Sequence, residues 1–232
     1  MAALRATSAH VVALDARFGG RDLMGTAVRA AHAGRTAHTR FAGSRGVPAA
    51  AAEDQQIAGW IAFDDERQDL SRQMSLEALL TARATGNRSM EQYILGRLAM
   101  RDVHIHRPTE AAQICRAALD DGAPGAARTM FTLRAARAAA QMGEDTPALD
   151  LIEETRSRHL EGPRTHDPAW AWWLTEAEIA WHHAMIYTDT GRWDRAIERF
   201  TAACERPDEY AWASRISQAS LREPARQLTA SD

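Results

Sequence analysis

Glu178-Ile-Ala-Trp181-His-His-Ala184-Met-Ile-Tyr187-Thr-Asp-Thr-Gly191-Arg-Trp193-Asp-Arg-Ala196-Ile-Glu-Arg-Phe200-Thr-Ala-Ala203 carries apolar or small residues at three- and four-residue steps on both sides of a glycine. That spacing predicts two short helices packed antiparallel, each hiding one stripe on the other. Ala184 and Ala196 are small enough to let the two backbones approach, and Tyr187 and Phe200 fill the space beside them. Pro207 is expected to stop the second helix, because its ring cannot continue the hydrogen-bond ladder. One such hairpin cannot bury its own face, so the chain must contain others.

It does. Glu66, His106, Gly143 and Gly191 align as turn residues. Five positions after each stand the small residues Ser71, Ala111, Ala148 and Ala196. Four further on come Ser75, Cys115, Ile152 and Phe200, and three beyond those Ala78, Ala118, Thr155 and Ala203. Seven positions before the last three turns lie Ala99, Ala136 and Ala184. This spacing is the pattern of a tetratricopeptide repeat, although the turns are further apart than the ~34 residues of the standard unit. The widest insertion, around Gly162 to Pro168, precedes the last hairpin, and Asp167-Pro168 reads as an N-cap and first residue opening a long helix through Trp170, Trp172, Trp173 and Trp181. The expected fold is therefore all-α: a right-handed α-solenoid of about four TPR-like helical hairpins with an N-terminal helical pair and a C-terminal capping helix. Residues 1–33 are expected to form the N-terminal pair, with helices over His10–Phe18 and from Asp22 to about Ala33. Residues 34–48, rich in glycine, read as a flexible loop, residues 49–221 as the helical repeat domain, and residues 222–232 as a tail. Tyr210, Trp212, Ile216 and Leu221 mark the capping helix that keeps the last face of such a stack soluble.

Composition narrows the function classes. A net charge of −3 gives no electrostatic reason to expect nucleic acid across the whole surface. All 28 basic residues are arginine, which together with the alanine excess reads as a high-GC coding bias of actinobacterial kind. Cys115 and Cys204 sit inside helical patterns without ligand-like spacing and read as reduced thiols. No apolar run approaches the ~20 residues needed to cross a bilayer, and no signal peptide is visible, so a cytoplasmic protein is expected.

Gly59-Trp60-Ile61-Ala62-Phe63-Asp64, Asp69-Leu70-Ser71-Arg72-Gln73, Ala78-Leu79, Asp167-Pro168-Ala-Trp170 and Glu176-Ala-Glu178-Ile-Ala-Trp181 resemble the C-terminal TPR-like region of actinobacterial Cro/CI-type (XRE) transcriptional regulators. The likeness covers most of residues 9–206. It implies a sensor or interaction module that in that family follows an N-terminal helix-turn-helix domain. That domain would precede Met1, so these residues are expected to be either a fragment or a stand-alone relative, and DNA binding does not carry over to them.

In a stack of this kind the first helices of successive pairs line a concave groove. Counting back from each turn aims Gln56, Trp60 and Phe63 inward in the first pair, and Tyr93, Met100 and His104 in the second. The third pair contributes Met130, Leu133 and Arg137, and the fourth Glu178, Trp181 and Met185. Trp60, Phe63, Tyr93, Met100, His104, Arg137, Glu178, Trp181 and Met185 are thus the candidate ligand-binding residues. Their rings suit a small apolar or anionic molecule or an amphipathic peptide, with Arg137 pairing an anionic group. The same rings could instead pack between neighbouring helices. Neither a cofactor nor a metal is expected: His104 and His106 flank a turn, and His182 and His183 are adjacent, whereas a helical metal pair wants an i, i+4 spacing. Glu176 and Glu178, two apart, point to different sides of their helix and do not make a paired-carboxylate site. The reading is a non-catalytic regulatory module, with a DNA-binding domain or regulator as partner and room for a homodimer. Two alternatives stand beside it: a protein-interaction scaffold without small ligand, and an enzyme using His104, His182 or His183.

Overall fold

The computed structural model describes residues 23–40, 47–205, 220 and 222–231, and every regular element among them is helical. The chain divides into two compact units, Met1–Arg101 and Asp102–Asp232. The first contains α1 (Met24–Arg40), α2 (Val47–Asp64), α3 (Gln68–Ala84) and most of α4 (Arg88–His104). The second contains α5 (Pro108–Asp120), α6 (Gly125–Gln141), α7 (Asp145–Leu160), a 3-10 turn (Ala169–Trp173), α8 (Glu176–Asp189), α9 (Trp193–Glu205) and α10 (Arg222–Ser231).

The turns explain how so many helices reverse within so few residues. Glu66, His106, Gly143 and Gly191, the four positions aligned from sequence, all adopt the left-handed conformation, with φ of 58°, 55°, 76° and 70°. Each ends its helix in the same way. The turn residue donates its N–H three residues back, as His106 does to Val103 at 3.1 Å, and the next residue donates five back, as Arg107 does to Asp102 at 2.7 Å. This pair of bonds satisfies carbonyls that the last helical turn would leave open. Glycine enters a left-handed backbone without steric penalty, whereas Glu66 and His106 adopt it at a cost.

The small residues do what their spacing implies. Ala111, Ala148 and Ala196 are wholly buried after their turns, and so are Ala99, Ala136 and Ala184 before them. The first turn has an equivalent that the alanine pattern hides. Gly59 stands seven residues before Glu66, and a Cβ there would lie 3.0 Å from Ser75 Oγ and 3.4 Å from Met74 Cβ. In the first unit α1 packs on α2, and α2 on α3, around Met24, Ala27, Ala31, Ala58, Ile61, Ala62 and Met74. In the second unit α6 is the central helix: it packs against α5, α7 and α8 and is buried along most of its length.

Three expectations need correction. The helix begun near Leu23 does not stop at Ala33 but runs through Gly34 to Arg40, and a new one starts at Val47, so only part of 34–48 is a connection. Contact with α2 continues past Ala33: Gly34 is buried, and a Cβ there would lie 3.2 Å from Ala51 Cα. Asp167-Pro168 opens no long helix. A short 3-10 turn ends at Trp173, Leu174 is non-helical, and Thr175 caps a fresh helix by accepting from Glu178 N at 3.2 Å. The segment read as a tail contains α10, which packs on α9. The helix expected over 10–18, Asp22, Pro207, Tyr210, Trp212, Ile216 and Leu221 lie outside the described residues. No described helix is long and apolar enough to cross a membrane.

Candidate functional site

Two features of the second unit carry chemistry. The first is a buried charged cluster between α6 and α8. Arg134 and Arg137 are three apart on α6, and Glu178, His182 and Asp189 recur at four and seven residues on α8, so each set shares one helical face. Arg137 Nη2 lies 3.3 Å from Asp189 Oδ2, and Arg134 Nη2 lies 3.6 Å from Glu178 Oε1. His182 sits between them: Nε2 is 3.0 Å from Glu178 Oε1 and also meets Arg134 Nη1, while Nδ1 is 3.3 Å from Arg137 Nη1. The two guanidiniums can only donate, so a neutral His182 accepts from one of them through its unprotonated ring nitrogen. Aromatic rings close the cluster. The Arg134 guanidinium stands 5.2 Å from the Trp173 ring centre and that of Arg137 5.7 Å from Trp181.

Two guanidiniums and two carboxylates balance in charge, but holding them away from water is costly. Burial pulls the Arg137 guanidinium below its usual range against the pull of Asp189 and Glu178. Burial likewise pushes the Asp189 carboxyl up against the pull of Arg137. Removing either partner would strand a charge in a dry interior. On the adjacent face of α8, His183 stacks on Tyr187 at 4.6 Å, and neither ring nitrogen has a hydrogen-bond partner among the described residues. Burial, with Arg199 and Arg156 adding to it, pulls its pKa down to about 3.

The second feature is a cleft of about 680 Å³ where the chain between α7 and α8 folds back over the first turn of α6. Asp167 ties that chain down. Its Oδ1 accepts from Ala126 N at 2.9 Å and its Oδ2 from Arg164 N at 2.8 Å. Asp167 therefore caps a helix after all, but α6 rather than the one that follows it. A Cβ at Gly125 would collide with this carboxylate, so the close approach needs glycine there. Leu160 and Trp172, which line the cleft, are 74% and 45% exposed.

The residues expected to line a groove divide between the two units. In the first, Trp60 stacks on Phe63 at 5.4 Å with the Arg97 guanidinium 3.3 Å above the Trp60 ring centre, Tyr93 is half-buried, and Met100 is buried. In the second, Arg137, Glu178 and Trp181 come together around His182, and Met185 packs beside Trp181 on Ala184, Ala196 and Phe200. His104 is exposed at the end of α4. Arg137 and Glu178 are almost wholly buried, so the anion that Arg137 meets is Asp189 of this chain. Met130 and Leu133, expected to face inward beside Arg137, are wholly buried as well. Of the histidines in the enzymatic alternative, His182 is held in the cluster, His183 stacks on Tyr187 and His104 is exposed. Among the described residues no group of three or more His, Cys, Asp or Glu side chains could hold a metal ion.

Sequence reasoning missed Arg134 and Asp189 altogether and weighed His182 only as a catalytic group or metal ligand. The signal was present: Arg134 and Arg137 on one helix and Glu178, His182 and Asp189 on another repeat at helical spacings. The cleft was missed too, although the long insertion that builds it was not. Comparison with known proteins gives no matching family model and no matching curated relative.

Proposed function

We propose that this chain is a non-catalytic regulatory module, a right-handed α-solenoid of TPR-like hairpins that binds a small molecule or peptide and passes its occupancy to a partner. The resemblance to the sensor region of Cro/CI-type regulators points to transcriptional control as the setting, and to a cytoplasmic protein. The observation that carries the binding role is the 680 Å³ cleft beside the widest insertion between turns, with Leu160 and Trp172 left exposed on its walls. A concave site of ~300–1,000 Å³ lined by apolar groups with a few polar ones is the usual form of a small-ligand pocket. Occupancy acts on a partner only through different affinities for two arrangements of the helices. Native mass spectrometry of the purified chain, followed by thermal shift with a metabolite and peptide panel, tests the proposal. A retained mass or a ligand-dependent rise in Tm supports it. A protein that carries nothing and responds to nothing in the panel overturns it.

A further inference from the structure

We infer that the cleft between α6, α7 and the chain over 162–176 takes an uncharged, ring-bearing small molecule that stacks on Trp172. This rests on the reading of the chain as a small-ligand module and names where and what it binds.

The charges around the cleft argue for a neutral ligand. Arg158 Nε already meets Glu154 Oε1 at 2.8 Å, and Arg164 Nη2 meets Glu161 Oε2 at 2.6 Å. The first turn of α6, which would otherwise attract an anion, is capped by Asp167, and that carboxylate is itself held by the N–H groups of Ala126 and Arg164. Glu176 lies near His159, whose pKa is lowered by burial against the pull of that carboxylate. A charged ligand would therefore lose its hydration without finding an opposite charge that the protein has not already answered.

The walls argue for a ring. Leu160, Pro163, Pro168, Ala171, Trp172 and Leu174 supply apolar surface, and the half-exposed Trp172 indole offers a flat face for stacking. The His159 backbone carbonyl accepts from Gly162 N at 3.0 Å, but its ring makes no hydrogen bond among the described residues, so the neutral ring can serve one polar atom of the ligand as donor or acceptor. Trp172 and Trp173 are consecutive in the 3-10 turn, where successive side chains stand about 120° apart. One looks onto the cleft and the other lies beside Arg134, so a molecule seated on Trp172 bears on the chain segment that shields the buried cluster.

Two fluorescent probes of nearly equal shape separate the possibilities: N-phenyl-1-naphthylamine, which is neutral, and 1-anilinonaphthalene-8-sulfonate, which adds a fixed negative charge. Titration of the full chain is expected to give one saturable site for the neutral probe and affinity about tenfold weaker for the sulfonate. Trp172→Ala removes a half-exposed ring and is expected to weaken the neutral probe about tenfold while leaving the circular dichroism melting curve in place. Ala171→Phe, which fills the cleft, is expected to abolish binding. Equal affinity for the two probes, no saturable site for either, or binding unchanged in both variants overturns the inference. A natural ligand retained by Ala171→Phe in native mass spectrometry would also overturn it, while leaving the small-ligand function standing.

Discussion

His183 gives the most quantitative prediction, because its ring is buried with both nitrogens unpartnered among the described residues and its pKa in the folded chain is about 3. In the unfolded chain it returns to the ordinary histidine value of 6.5. The unfolded state therefore binds a proton as the pH falls below 6.5, while the folded state refuses it until about pH 3. Above that window the group is neutral in both states and contributes no slope. Within it, each pH unit removes about 1.4 kcal/mol of stability, so moving from the top of the window to pH ~5 should remove about 2 kcal/mol. Carboxylates titrate mainly below this range, and the other histidines contribute equally to a variant that lacks only this one. Urea unfolding of the wild type and of His183→Leu at pH ~7.5 and pH ~5 isolates the effect. Leucine loses the stack on Tyr187 but leaves no hydrogen bond unmade, so the two proteins should have similar stability at the higher pH. At the lower pH the wild type should have lost about 2 kcal/mol more than the variant. Parallel losses in the two proteins would refute the claim that His183 is held neutral by burial.

Other consequences follow from the same geometry. Glu178→Gln leaves Arg134 and Arg137 buried with one carboxylate between them, and urea unfolding should show a loss of about 3–5 kcal/mol. Glu66→Gly relieves a left-handed backbone at a non-glycine position, and after the entropy that glycine adds to the unfolded chain, stability should rise by about 0.5–1 kcal/mol in the same assay. Cys115 is buried and its thiol is pushed up to about 12, so it should resist alkylation by iodoacetamide at pH ~8 until the chain is unfolded, as followed by intact mass.

Much of the hairpin plan was legible because it rests on local rules. The turn residues could be aligned without structure, since a left-handed turn followed by small residues at fixed steps is a local constraint. Glu66 and His106 were aligned with Gly143 and Gly191 although they lack the glycine that usually marks the turn, and all four share one conformation. Gly59 escaped because glycine in the middle of a helix reads as a weak helix former, and only its approach to Ser75 reveals it as one of the contact points. The Asp167 cap escaped for a different reason. An aspartate before a proline is a strong local signal for the next helix, but the backbone it satisfies belongs to a helix that begins far earlier in the chain.

The burial of Arg134 and Arg137 follows from the position of α6, which is buried along most of its length. Ala138, four residues beyond Arg134 on the same face, is wholly buried, and so is Ile186, four beyond His182 on α8. Packing this close excludes water between the two helices. A charged residue placed on such a face cannot reach solvent and must find its counter-charge on the facing helix, as Arg134 does in Glu178 and Arg137 in Asp189. Counting residues from the turn identifies the face correctly but not whether it is an open wall or a closed seam. That depends on the neighbouring helix, which supplies the missing charge. Open and closed also have different uses: a closed seam of paired charges specifies how two helices dock, while a ligand needs a place where that docking is interrupted. In this unit the interruption is the segment that folds back over the first turn of α6.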